Sequence, residues 1–183
     1  RFAKVMTHLI RGDSFLTNLT MKTPIETELS LRDLFNIARA KYKIYFNDQF
    51  LVFSPEPFVR IENGMIFSTP MKGTIDASVP DAKEIILGDQ KEFCEHVTIV
   101  DLIRNDLSRV AHHVEVTRFR YVEELKTNHK TLPQVSSEIA GQLEPDYQGR
   151  LGDILATLLP AGSVSGAPKA RTIEIIKEAE QEK

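Results

Sequence analysis

The chain has 183 residues, 42% hydrophobic and 27% charged, which is enough for one sizeable core and leaves little room for two full-size domains. Its 23 basic and 26 acidic residues give a net charge of −3, and the basic residues are scattered, so the electrostatic footprint of a nucleic-acid binder is missing. The lone Cys94 excludes an intrachain disulfide or a cysteine-based zinc site, and with no signal peptide and no apolar run near ~20 residues a membrane span is not expected and a reducing, cytoplasmic compartment is.

Phe2, Val5, Met6, Leu9 and Ile10 recur at helical spacing and stop at Gly12, a residue suited to a helix C-terminus. With no initiator Met and no N-cap before Phe2, the sequence reads as a piece cut from a longer chain. A strand is expected through Phe15 and Leu19, and Ser30 caps a helix carrying Leu31, Leu34, Phe35 and Ala38. Two hairpins follow, 43–54 around Asn47 and Asp48 and 58–69 around Asn63-Gly64, a dipeptide that supplies the positive φ of a tight turn. Residues 69–80 read as a loop. A short helix over 82–87 precedes a long one over 90–110, with Asp89 and Glu92 at capping-box spacing. Val114 and Val116 mark a strand, 135–140 a second, and 154–159 a helical turn or two. A loop over 160–168 leads to a final helix carrying Ile173, Ile176 and Ala179, with Pro168 at its first position. Antiparallel hairpins with interspersed helices, no β-α-β-α alternation and no linker predict an α+β fold, antiparallel sheets with flanking helices, forming a single unit over 1–183.

On the long helix, Glu92, Glu95, His96, Ile99, Ile103 and Asp106 crowd one arc. Acids beside isoleucines either border a polar cavity or are buried at a cost, and a cavity is the better expectation. Glu92 and Glu95, one turn apart, can present oxygens to one hard cation such as Mg²⁺. The spacing equally fits a capping Glu92 and a surface Glu95. His96 fits a hydrogen-bonded boundary residue, and Asp101, on the far side, a partner for an arginine.

Two loops have the makings of anion sites. Pro160-Ala-Gly-Ser-Val-Ser-Gly-Ala-Pro-Lys169 puts small residues, hydroxyls and a lysine ahead of a helix start, where unpaired N–H groups favour a negative ligand, although an ordinary loop-to-helix junction has the same composition. It is not a Walker A loop. In Thr69-Pro-Met-Lys-Gly-Thr74, Lys72 beside Gly73 suits a nucleophile if desolvated, or a solvent-facing loop lysine otherwise.

Together, Ser54-Pro-Glu56, Pro70-Met-Lys-Gly-Thr74, the run from Glu95-His96 to Asn105-Asp106 and the 160–169 segment resemble the chorismate-utilising enzyme family, whose motifs come in this order. The family includes component I of anthranilate synthase and of aminodeoxychorismate synthase, and the isochorismate and salicylate synthases. Lys72 makes the chain most similar to the aminodeoxychorismate branch, which forms 4-amino-4-deoxychorismate from chorismate and ammonia in para-aminobenzoate and folate biosynthesis. Anthranilate synthases usually carry alanine there.

The resemblance implies Lys72 as nucleophile, Glu56 as general acid or base, Glu92 and Glu95 as Mg²⁺ ligands, and substrate contacts from Gly73, Thr74, Gly162, Ser163 and Lys169. It implies a glutamine amidotransferase partner supplying ammonia. The alternatives it leaves are an anthranilate-synthase-like or isochorismate/salicylate-synthase-like enzyme, or a truncated fragment that only binds ligand. Counting back from Ser137 and Gly141, Gln134 stands where many members have histidine. Members also extend beyond both ends of this sequence, so 1–183 is expected to be an incomplete portion of the chorismate-binding domain.

Overall fold

The structure, a computed structural model, describes residues 1–54, 56–126 and 131–180. The chain divides into two compact units, one of Arg1–Thr20 with Val59–Lys183 and one of Met21–Phe58, at boundaries that no linker-like composition marks.

The smaller unit contains helix α2 (Leu31–Ile37), second in chain order, and the hairpin β1 (Tyr42–Phe46) and β2 (Phe50–Ser54). Ser30 forms a full capping box with Asp33, which satisfies two of the orphan donors at the helix start. Asn47 and Asp48 both take positive φ in the three-residue loop between the paired Phe46 and Phe50, a conformation that Asn and Asp tolerate. Lys43 reaches from β1 to donate to Phe35 O at 2.8 Å, its ammonium 4.4 Å from the Phe35 ring centre.

In the larger unit the sheet is organised around β7 (Thr131–Gln142). One edge pairs antiparallel with the whole of β6 (His112–Lys126). The other edge is shared: β4 (Met65–Ser68) pairs with residues 139–142 and β5 (Met71–Thr74) with residues 134–136, while β3 (Arg60–Glu62) continues the sheet beyond β4. The turn between β3 and β4 has positive φ at Asn63 and Gly64, as its sequence predicts. Strand β5 lies inside the stretch expected to be loop, and the expected strand through Phe15 is reduced to a bridge between Leu16 and Ala167.

Helix α1 (Phe2–Arg11) ends at Gly12 in the left-handed conformation, and α3 (Ala82–Gly88) precedes α4 (Gln90–Leu107). Asp89 caps α4 by accepting the Glu92 N–H. The main core joins Val100 and Leu107 of α4, Ile66 of β4, Ile139 of β7, and Ile154 and Leu158 of α5 (Leu151–Leu158). A smaller cluster packs Val5 of α1 on Ile175 and Ala179 of α7 (Lys169–Ala179). Pro168 is the N-cap of α7 rather than its first residue, and the 160–168 loop includes the single turn α6 (Gly162–Ser165). No helix among the described residues is long and apolar enough to cross a membrane.

Asp106 fastens this loop to α4. Its Oδ2 accepts the Gly162 N–H at 2.7 Å and its Oδ1 the Lys169 ammonium at 2.9 Å; Lys169 also donates to Leu158 O at 3.2 Å. On the loop's other side, Phe15 N–H donates to Ala167 O and Ala167 N–H to Leu16 O, and Ser14 Oγ lies 2.7 Å from Thr172 Oγ1. Gly166 has φ +89, and a Cβ there would stand 2.0 Å from Leu16 O, so only glycine permits the approach. Asp106 is 7% exposed; removing its charge leaves the mostly buried Lys169 ammonium with only the Leu158 carbonyl and the buried Gly162 N–H without its acceptor. Asp106→Ala is expected to cost about 3 kcal/mol or more, measured by denaturant unfolding of the intact protein, and Asn105→Ala, at an exposed position, much less.

Candidate functional site

Lys72 is carried by β5, whose backbone is set from two sides. Ser137 N–H of β7 donates to Pro70 O at 3.0 Å, and the β5 register shifts between Met71 and Thr74 where Gly73 takes φ +82. A Cβ on Gly73 would meet Glu92 Oε2 at 3.0 Å and Ile86 Cδ1 at 3.4 Å. Glycine therefore brings the Lys72 strand close to the first turn of α4. There the Lys72 ammonium lies 3.0 Å from Glu95 Oε2, while Lys91 lies 3.3 Å from Glu95 Oε1 and 3.9 Å from Glu92 Oε1. Hydrogen bonding from Lys72, outweighing desolvation, lowers the Glu95 carboxyl below its ordinary range, with Lys91 adding to it.

Glu92 and Glu95, one turn apart on α4, thus border the Lys72 strand. A space of about 250 Å³ lies at the C-terminal end of α4, lined among others by Arg109, His112, Tyr147 and Asp153. The two carboxylates fit a hard cation that takes one or two protein acids and completes its shell with water and ligand oxygens. The absence of a side chain at Gly73 leaves Glu92 Oε2 its place. No group of three or more His, Cys, Asp or Glu that could hold a metal exists among the described residues.

Next to Glu95 on α4, His96 is 1% exposed, with Nε2 2.6 Å from Ser137 Oγ, which also accepts the Arg120 N–H at 3.0 Å. His96 Nδ1, Arg120 Nε and Gln134 Oε1 are buried without a hydrogen-bond partner. Gln134 pairs in register with Thr74 of β5 and Glu123 of β6, beside the Lys72 strand. Asp101, as expected of a solvent-side acid, meets Arg104 at 2.8 Å.

The remaining candidates fall into separate places. Gly162 and Lys169 are engaged by Asp106, eleven residues beyond Glu95 on nearly the same face of α4 and so about 16 Å along the axis. Ser163 is exposed, as is Thr74. Glu56 belongs to the smaller unit, where its N–H donates to Ser54 Oγ at 3.1 Å. Sequence reasoning passed over Ser137, which ties together β5, β6 and α4. A serine inside a strand gives no signal of such partners, which lie 17 and 41 residues away.

The whole chain, residues 1–183, matches the family described as chorismate binding enzyme, and it belongs to that family. An uncharacterized PabA-like protein of Haemophilus influenzae is 52% identical over 182 residues, covering 100% of this chain and 56% of that protein. Anthranilate synthase component 1 of Aquifex aeolicus is 38% identical over 137 residues, 71% of this chain and 26% of that protein. The crystal structure of anthranilate synthase component I from Streptococcus pneumoniae aligns with a TM-score of 0.70 at 31% identity, covering 99% of this chain and 42% of that one. The α+β architecture is that of the family, and the chain spans little more than half the length of its Haemophilus relative.

Burial, followed by the nearby Arg120 charge, depresses the His96 pKa from 6.5 to about 4. Between those values the unfolded chain binds a proton that the folded chain refuses, so this contribution to stability is complete above pH 6.5 and is lost as pH falls towards 4. The loss is about 3 kcal/mol at most. Denaturant unfolding of the intact protein across pH 4–7 is expected to show this acid sensitivity in the wild type and to show it reduced in His96→Gln.

Proposed function

We propose that the intact protein is an aminodeoxychorismate synthase component, converting chorismate and ammonia to 4-amino-4-deoxychorismate, with Lys72 as its covalent nucleophile. The observation that carries this reading is the placement of Lys72 on a glycine-flanked strand against the acids of α4. A primary amine held there can add to a substrate ring where an alanine methyl cannot.

In this reading Lys72 Nζ attacks C2 of chorismate, the ring double bond shifts, and the C4–O bond breaks as the hydroxyl departs. A general acid supplies the proton that makes water of the leaving group. Ammonia then adds at C4, the electrons shift back, and the C2–N bond breaks to return Lys72. The net change is chorismate plus ammonia to aminodeoxychorismate plus water. An ammonium has no lone pair, so Lys72 must leave Glu95 and shed a proton before attack.

Glu92 and Glu95 would hold a Mg²⁺ ion, whose charge when bound offsets that of a substrate carboxylate. Thr74 and Ser163, both exposed, offer hydroxyls, and the backbone at Gly73 offers close approach to the ring. Gly162 and Lys169 act through Asp106, holding the loop that presents Ser163. Ammonia comes from a glutamine amidotransferase partner.

Intact protein given chorismate and ammonium salt is expected to yield aminodeoxychorismate by chromatography and a Lys72 adduct by mass spectrometry. Lys72→Ala is expected to lose on the order of a hundredfold or more in rate. Wild-type rate in Lys72→Ala with no adduct in the wild-type protein would overturn the nucleophile assignment, and release of anthranilate by the wild type would place the protein with the anthranilate synthases it also resembles.

A further inference from the structure

We propose that Lys72 and the metal compete for Glu95, so that arrival of the cation releases the Lys72 side chain from its ion pair with Glu95. The inference rests on the reading of Glu92 and Glu95 as the metal-holding pair, and adds to it an order of events that neither residue type implies alone.

Both oxygens of Glu95 are taken, Oε2 by Lys72 at 3.0 Å and Oε1 by Lys91 at 3.3 Å. The two lysines are not equivalent. Lys91 is on the same helix one turn away, and its side chain is 76% exposed, so water replaces Glu95 at little cost. Lys72 is 41% exposed and comes from β5, whose path is fixed by the Ser137 bond to Pro70 and by Gly73.

A divalent ion binds a carboxylate oxygen at about 2.0–2.1 Å for Mg²⁺. An ammonium 3.0 Å from the same carboxylate would then face a doubly charged neighbour within a few ångströms, the ion already taking up the charge of both carboxylates. Like charges at that range repel strongly in a partly desolvated setting, so Lys72 swings off Glu95 on its four-carbon stem. By linkage, whatever factor Lys72 takes from metal affinity the metal takes from the Lys72–Glu95 pair. The ion-pair partner of the proposed nucleophile is thus also the ligand whose engagement frees it.

Calorimetric titration of the intact protein with MgCl₂ reads this without any turnover. Lys72→Met is expected to bind Mg²⁺ about three- to tenfold more tightly than wild type, the range set by a partly exposed ion pair. Lys72→Arg, which keeps the charge, should stay within about twofold of wild type, and Lys91→Met should gain less than Lys72→Met. Equal or weaker binding by Lys72→Met, in a protein whose Glu95→Gln variant has lost affinity, overturns the competition and leaves the metal assignment standing. Unchanged affinity in Glu95→Gln overturns the metal assignment and the competition with it.

Discussion

A single carboxylate, that of Asp106, fixes how the 160–169 loop meets α4. It sits near the C-terminus of α4 among Val100, Leu107 and the other residues of the core, a costly place for a charge unless that charge is matched. The match is supplied by one ammonium and one backbone N–H from the same short loop, those of Lys169 and Gly162. Satisfying the buried acid therefore also positions α6, the start of α7 and, through Ala167 and Thr172, the Ser14–Leu16 segment. Electrostatic necessity, more than apolar area, fixes the path of this loop.

The same helix performs two different tasks with acids on nearly one face. Near its N-terminus, Glu92 and Glu95 remain partly exposed and face lysines that can leave. Near its C-terminus, Asp106 is shut in with a partner that is itself mostly buried, Lys169 at 20% side-chain exposure. Exposure separates an acid that can exchange partners from one that cannot. His96 and Ser137 lie between these ends and link the helix to the central strand.

Much of the fold was legible in the sequence where a local cause sufficed. Ser30, Asn47-Asp48, Asn63-Gly64 and Gly12 each specify a cap or turn by their own chemistry, and those elements stand where they were expected. Strand β5 was not legible, because Met71, Lys72, Gly73 and Thr74 have no alternating pattern and become a strand only through the edge that β7 offers. The converse holds for Phe15 and Leu19, whose alternation found no edge beyond the Leu16 bridge. At the candidate site, Glu95 beside isoleucines announced a special face. The sequence did not announce that Lys72 would be its partner, since the two are far apart in the chain and meet only once β5 and α4 pack. Asp106 was visibly misplaced as well, but Lys169, 63 residues away, could not be read as its counter-ion.

The strand bearing Lys72 is held by main-chain and glycine features: an amide of Ser137 on the carbonyl of Pro70, and the left-handed turn at Gly73. None of these bonds involves the side chain at position 72. The position is therefore exchangeable in an evolutionary sense, because a substitution there alters what the strand presents without altering how the strand is held. On this scaffold a change at position 72 alters the group that faces the acids of α4 while the strand keeps its path.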